Sequence, residues 1–239
     1  IINRDDENHQ YFLDTASDKD SLTFGIDDLE FYKNSESGFI CQLNNYVFEL
    51  PLIGEFNLSN ALAAYTSVKC LGYSDDQIIP FLAKLSPPPG RMQQLENSHI
   101  WIDYAHTPDA LDNALASLRT HYPEFKIRVL FGCGGDRDKT KRQLMGKIAS
   151  EDAESIILTN DNPRSESPEK IIEDILGGIK VENDVQVILD RKHAIETAVK
   201  TLGEDELLLI AGKGHETTQT IGDQIFQFSD IEVALDAFI

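Results

Sequence analysis

The sequence predicts an α/β protein: a C-terminal Rossmann-like domain with a mostly parallel sheet, preceded by the incomplete tail of another α/β domain. Three observations carry this expectation. From about residue 98 onward, apolar strand runs alternate with helix-like stretches, the pattern that builds parallel sheets with right-handed crossovers. The first 86 residues instead mix short β-like runs with two helices. Between the two parts, "SPPPGRM" holds three prolines and a glycine, a stiff extended connection that predicts domains over residues 1–87 and 88–239.

In the first part, "SLTFGI", "GFICQL" and "YVFELPL" are strand-like, and "GEFNLSNALAAYTSVKCLGY" sets Leu58, Leu62, Tyr65 and Val68 along one helical face. A second helix is predicted around "DDQIIPFLAKL". The opening "IINRDD" reads as the end of a buried strand, with no basic segment leading into an apolar one, so the chain is expected to start inside a longer protein. After the prolines the order is strand "HIWIDY", helix from Pro108, strand "KIRVLF", helix from about Thr140, strand "SIILT", helix from Pro168. Strand "VQVIL", a helix from about Arg191 and strand "LLLIAG" follow. Thr107-Pro108 and Ser167-Pro168 each set a capping hydroxyl before a proline at the first helical position, and "SDIE" from Ser229 is a capping box for a last helix. "TTQTIGDQIFQF" is predicted to turn as a hairpin at Gly222-Asp223.

A net charge of -20, from 21 basic and 41 acidic residues, argues against a nucleic-acid surface, since phosphate backbones attract Lys/Arg-rich faces. No run of about 18 apolar residues suggests a membrane span, and a soluble chain is expected. Cys41, Cys70 and Cys133 are widely spaced, with no CxxC pair or clustered histidines. Neither a disulfide framework nor a zinc site is indicated, which fits the reducing cytoplasm. Any anionic ligand must then be met by local basic groups.

The polar motifs "DYAH", "GCGGDRD", "NDNPR", "LDR" and "GKGHE" each follow an apolar strand run, so they are expected to converge on one cleft at the strand carboxyl ends. "GCGGDRD" is not a dinucleotide fingerprint, because the last glycine of G-x-G-x-x-G would fall where Arg137 stands, and no stretch supplies a phosphate-binding P-loop. Arg137 can bind a carboxylate or phosphate, or form a surface ion pair. In "DNPR", Asp161 or Asn162 can close a turn through its side chain and Pro163 fixes φ, so Arg164 stands on a rigid support suited to a bidentate grip on a carboxylate. The alternative is an ordinary helix-leading turn. In "AGKGHE", Gly212 and Gly214 permit close backbone approach and Glu216 can receive an ammonium, while His215 is a hydrogen-bonding residue rather than a general base. Two arginines and one carboxylate suit an amino acid with more than one carboxylate. Asn57 and Asn60 can share a helical face or serve as caps. Arg91 and Asp103 have ordinary readings as a hinge salt bridge and a strand-end carboxylate.

"GEFNLSNALAA", "PPPGRMQ", "DYAHTPDAL", "GCGGDRDKTKR", "TNDNPR" and "AGKGHE", in this order, resemble the Mur ligases over essentially the whole chain, and within them the diaminopimelate-adding branch. The resemblance implies that residues 1–87 are the C-terminal part of the central ATP-binding domain and residues 88–239 the amino-acid-binding domain. It implies an ATP-dependent ligase: ATP phosphorylates the D-glutamate carboxylate of UDP-MurNAc-L-Ala-D-Glu, and the amino group of meso-diaminopimelate displaces phosphate from the acyl phosphate. By motif match, Asn57 and Asn60 would lie near adenine, Arg91 would contact the nucleotide phosphates and Asp103 the ribose, with His106 a lesser candidate. Arg137, Asp161, Asn162, Pro163, Arg164, Gly212 and Glu216 match positions that receive diaminopimelate. The arginines would hold carboxylates, and Glu216 with the Gly212 carbonyl an ammonium. Arg164 would distinguish diaminopimelate from lysine, since lysine-adding relatives usually lack an arginine there. The family's phosphate loop, carbamylated lysine, principal Mg2+ ligands and UDP-sugar domain would all precede Ile1, so this chain alone is expected to be inactive in ligation.

Three rivals remain. A folylpolyglutamate synthetase-like ligase shares the architecture, but the "DNPR" and "GKGHE" pair argues against it. A non-catalytic amino-acid-binding module is a second, and a nicotinamide-dependent dehydrogenase, short of its final glycine, a third.

Overall fold

The chain divides at its proline run: the computed structural model, which describes residues 1–95 and 98–238, separates into the units Ile1–Ser86 and Pro87–Ile239. In the first unit, strand β1 (Ile2–Asn3) pairs in parallel with β2 (Thr23–Phe24), and helix α1 (His9–Thr15) lies between them in sequence. Strands β3 (Phe31–Asn34), β4 (Phe39–Leu43) and β5 (Tyr46–Leu50) form an antiparallel sheet. The β4–β5 turn is built from Asn44 and Asn45, both left-handed (φ 49° and 66°), which suits a tight hairpin. Helices α2 (Glu55–Cys70) and α3 (Asp75–Leu82) then cover the sheet. Leu58, Leu62 and Tyr65 of α2 meet Ile78, Ile79 and Leu82 of α3 above Phe39, Cys41, Leu43 and Leu50. Val68, the fourth residue of the expected stripe, is only partly buried. Helix α1 and strand β3 go beyond the elements read from the sequence, whereas β2 lies within the "SLTFGI" run. The opening residues do form a strand, but Ile2 and Asn3 are half-buried.

The second unit holds β6 (Gln93–Gln94), β7 (Ile100–Asp103), α4 (Pro108–His121), β8 (Lys126–Phe131), α5 (Thr140–Asp152) and β9 (Ser155–Leu158). They are followed by α6 (Pro168–Leu176), β10 (Asp184–Val187), α7 (Arg191–Lys200), β11 (Glu206–Ala211), the hairpin β12 (Thr218–Ile221) and β13 (Gln224–Gln227), and α8 (Asp230–Phe238). The sheet order is β10-β9-β8-β11-β7-β6, parallel throughout except for β6. The strand sequences dictate this placement. "KIRVLF", "ELLLIA" and "IWID" are apolar on both faces, as strands covered on both sides must be. On one face Ile100, Ile102, Leu130, Ile157, Leu208 and Ile210 pack under Ala194, Ile195 and Ala198 of α7 and Ala234 of α8.

Helix starts follow local chemistry. Thr107 Oγ1 accepts from the Ala110 amide at 3.3 Å and Ser167 Oγ from Lys170 at 3.4 Å, each ahead of a proline. Ser229 Oγ accepts from the Glu232 amide at 3.3 Å, and Asp190 caps α7 through the His193 amide at 2.8 Å. The arginine after that cap, Arg191, is fully buried and bidentate to the equally buried Asp230 at 2.8 and 2.7 Å. It also donates to the carbonyls of Ala211 and Asn160, at 2.9 and 3.3 Å, so one guanidinium ties α7 and α8 to the ends of β9 and β11. Removing one partner of such a pair leaves an uncompensated buried charge. Asp230→Ala should therefore lose about 3–5 kcal/mol in urea unfolding; a loss below about 1 kcal/mol would contradict this role.

Candidate functional site

Strands β7, β8, β9 and β11 are parallel, so their carboxyl ends share one edge, and β11 lies between β7 and β8, where the order of strands reverses. A cleft of about 460 Å³ opens there. Its walls are Tyr104, His106 and Thr107 after β7, and Gly132 to Gly134, Arg137, Asp138 and Lys141 after β8. Asp161, Asn162 and Arg164 after β9, with Gly212 and Glu216 after β11, complete it. Arg137, Asp161, Asn162, Arg164, Gly212 and Glu216 thus come together, whereas Pro163 turns its carbonyl toward Gly135 instead of lining the cleft.

The glycines of "GCGG" serve the neighbouring loop. A Cβ on Gly132 would lie 2.0 Å from the Thr159 carbonyl oxygen, and one on Gly135 1.9 Å from that of Pro163. The Gly135 amide donates to the Asn162 carbonyl at 2.9 Å, and Arg164 Nη1 donates to the Gly135 carbonyl at 2.8 Å. Arg164 owes its rigid support less to Pro163 than to the hairpin. Its amide donates to the Thr220 carbonyl at 3.2 Å and its carbonyl accepts from Gly222 at 2.8 Å, which holds it left-handed (φ 52°). Below the loops, Glu166 accepts from the Asp136 amide at 2.6 Å and pairs with Lys139 and Arg142, each at 2.9 Å. Arg142 is fully buried, reaches Asp174 at 2.8 Å and donates to the Gly134 carbonyl at 3.3 Å. Arg142, then Lys139 and the Asp136 amide, hold the Glu166 carboxyl down at about 2.

Asn162 does not close a local turn. Its Oδ1 accepts from the Thr220 amide at 2.9 Å and from Lys213 Nζ at 3.2 Å, and its Nδ2 donates to Glu216 Oε2 at 3.1 Å. Glu216 already holds an ammonium, that of Lys213, at 2.8 Å. Burial pushes the Glu216 carboxyl up, but the Lys213 bond and charge and the Asn162 amide outweigh it and hold it below its ordinary range. The Asp161 carboxylate, beside Gly212, accepts no hydrogen bond among the described residues. Arg137 is exposed on the cleft wall, donates to the Asp136 carbonyl at 3.2 Å and forms no ion pair among the described residues.

Asp103 is buried at the end of β7, and its Oδ2 accepts from the Met92 amide at 2.6 Å. Burial raises its carboxyl above the ordinary value, with the Met92 amide and the Arg91 charge pulling against it. Arg91 forms no salt bridge among the described residues; its guanidinium carbon lies 4.6 Å from the Tyr104 ring centroid. His106 and His215 flank the same ring, with centroids at 4.5 and 5.1 Å. In the first unit Asn57 is the third residue of α2, whose cap is Gly54, so the capping reading fails. Asn57 Nδ2 donates to the Ile53 carbonyl at 2.8 Å, and Asn60 Nδ2 to Asn57 Oδ1 at 3.2 Å, on one helical face. The sequence reading passed over Tyr104, Lys141, Lys213, Arg142 and Glu166. For Lys213 the signal was its place between two glycines after an apolar strand.

Fold and cleft describe an α/β domain with a charged recess at its strand ends. Residues 90–214 match the family model of the Mur ligase glutamate ligase domain, and residues 1–68 that of the Mur ligase middle domain. The chain belongs to the Mur ligase family. It is 45% identical over 208 residues to the UDP-N-acetylmuramoyl-L-alanyl-D-glutamate--2,6-diaminopimelate ligase of Rickettsia bellii (strain RML369-C), covering 87% of this chain and 44% of that one. To the ligase of the same name from Coxiella burnetii (strain RSA 493 / Nine Mile phase I) it is 50% identical over 194 residues, covering 80% and 39%. The chain therefore spans under half the length of these curated relatives. A solved structure of a ligase of that name superposes with a TM-score of 0.69 at 34% identity, covering 99% of this chain and 52% of the other. A folylpolyglutamate synthase from Thermotoga maritima, with a TM-score of 0.64 at 23% identity over 87% of this chain and 49% of its own, shares the fold.

The Glu166 clamp has a pH signature. With its carboxyl at about 2 in the folded chain against an ordinary 4.5, its contribution is complete above the unfolded value and disappears as pH falls from 4.5 toward 2. Urea midpoints at pH 3 and pH 7 should thus converge in Glu166→Gln relative to the unsubstituted chain. An unchanged acid slope would show that the clamp is not formed in solution.

Proposed function

We propose that this chain is the amino-acid-receiving part of an ATP-dependent ligase that adds meso-diaminopimelate to UDP-MurNAc-L-Ala-D-Glu in peptidoglycan precursor synthesis, in the cytoplasm. The observation that carries the reading is the meeting of Arg137 and Arg164 with Asp161 and Glu216 in one cleft. Relatives named for this reaction at 45% and 50% identity support it. In the reaction class, a carboxylate oxygen attacks the γ-phosphorus of ATP and ADP leaves. The amine then attacks the acyl phosphate carbonyl, phosphate leaves, and the nitrogen gives up a proton.

The part assigned to this chain is to hold the nucleophile. Arg164 spends Nη1 on the Gly135 carbonyl and keeps Nε and Nη2 for a bidentate grip on a carboxylate. Arg137 is assigned to a second carboxylate; because Glu216, the residue expected to receive an ammonium, is already held by Lys213, that part is assigned instead to the Asp161 carboxylate with the Gly212 carbonyl. Lysine would leave a guanidinium unpaired in the cleft, and an unmet charged group is what makes such a site reject an analogue. The roles of Asn57 and Asn60 toward adenine, Arg91 toward phosphates and Asp103 toward ribose are carried by the motif match. Among the described residues no three His, Cys, Asp or Glu side chains form a metal site. No described helix is long and apolar enough to cross a membrane.

Calorimetric titration of the 239-residue chain with meso-diaminopimelate, lysine and glutamate tests the reading. Meso-diaminopimelate should bind at least about a hundredfold more tightly than lysine, and Arg164→Ala should weaken it by roughly ten- to a hundredfold while leaving lysine unchanged. Binding of glutamate alone would point to the folylpolyglutamate type, and equal binding of all three would sink the assignment.

A further inference from the structure

Lys213 is a fully buried cation that the amino-acid reading leaves without a task. Gly212 (φ 114°) and Gly214 (φ 53°) flank it in the left-handed region, and this excursion turns the lysine beneath the cleft floor. A Cβ at Gly212 would press on Asp161 Oδ2 at 2.9 Å, and one at Gly214 on the Gly90 carbonyl at 2.6 Å, so the loop has no room for side chains on either side. A buried ammonium must find acceptors, because an unpaired charge away from water is very costly. Those acceptors are the two cleft residues Asn162 and Glu216, at 3.2 and 2.8 Å, and Asn162 bonds Glu216 in turn at 3.1 Å. The triangle gives each group one orientation. Both bonds to Glu216 land on Oε2, so Oε1 is what remains for a ligand.

We propose that Lys213 is a positioning residue that sets amino-acid selectivity, cancelling the charge of Glu216 from below and fixing Asn162, so that the cleft favours a ligand of net negative charge. This rests on the amino-acid reading above. An attacking amine must be neutral, since a protonated nitrogen has no lone pair. In that form meso-diaminopimelate carries two carboxylates and one ammonium, net −1, whereas lysine carries one of each. With Glu216 neutralised, Arg137, Arg164 and Lys141 face Asp138 and Asp161 across the cleft, a positive excess that matches the first ligand. The groups facing Glu216 are Lys213 and His215 on its own loop, Asp161, Asn162 and Arg164 from the loop after β9, Tyr104 after β7, and Arg191 from α7.

The test is calorimetry on Lys213→Met with meso-diaminopimelate and lysine over a pH series that starts at the ordinary glutamate range and runs to pH 8, after the unsubstituted chain has been titrated. No meso-diaminopimelate binding by the unsubstituted chain would refute the amino-acid reading itself. Given binding, Lys213→Met should weaken meso-diaminopimelate by on the order of ten- to a hundredfold, spare lysine, and make binding pH-dependent as Glu216 begins to titrate. A purely structural lysine would weaken both ligands alike with no new pH dependence, which would overturn the proposal. If the variant does not fold, the ¹³C carboxyl resonance of Glu216 in the unsubstituted chain decides. Titration below the ordinary glutamate range, with a smaller shift than Asp161 on adding meso-diaminopimelate, supports the proposal, and the reverse overturns it.

Discussion

The cleft depends on two loops, those leaving β8 and β9, touching backbone to backbone. Gly132 and Gly135 admit the carbonyls of Thr159 and Pro163 into space that any side chain would occupy. The approach brings the Asn162 carbonyl within reach of the Gly135 amide and the Gly135 carbonyl within reach of Arg164, so each loop satisfies polar groups of the other. Without it, Arg164 would lose an acceptor and Arg142 its bond to Gly134. A motif that resembles a phosphate-binding turn is here a seat for a neighbouring loop.

Charge around the cleft is arranged in tiers. Underneath, Arg191 with Asp230, Arg142 with Glu166 and Asp174, and Lys213 with Glu216 are pairs whose cations are all fully buried. Removing those cations from water is costly, and each is met by a carboxylate and by at least one carbonyl or amide oxygen. The upper tier, Arg137, Arg164, Asp138 and Asp161, is left for whatever enters. A chain of net charge -20 can thus hold a recess in which cations match carboxylates, because its acidic excess lies elsewhere.

Much of the second unit was legible because its signals are local. Strands with both faces buried read as unbroken apolar runs, and Thr107, Ser167 and Ser229 announce their helices chemically. Helix α1 escaped notice because it buries none of its residues and so leaves no apolar stripe. Within the cleft, the positions of Arg164 and Glu216 could be read from their place after strands. Their partners could not. Lys213 and Asn162 are 51 residues apart, and Arg142 and Asp174 are 32 apart, so those bonds exist only once the sheet has brought the loops side by side.

Arg164 is also the residue whose main chain adds a rung to the β12–β13 hairpin, through Thr220 and Gly222. Residues of that hairpin do not line the cleft, and Ile221, Ile225 and Phe226 lie largely open on its surface. The guanidinium is therefore aimed by a lever whose handle lies outside the recess. A substitution in the hairpin can move this side chain while every residue that lines the recess stays the same.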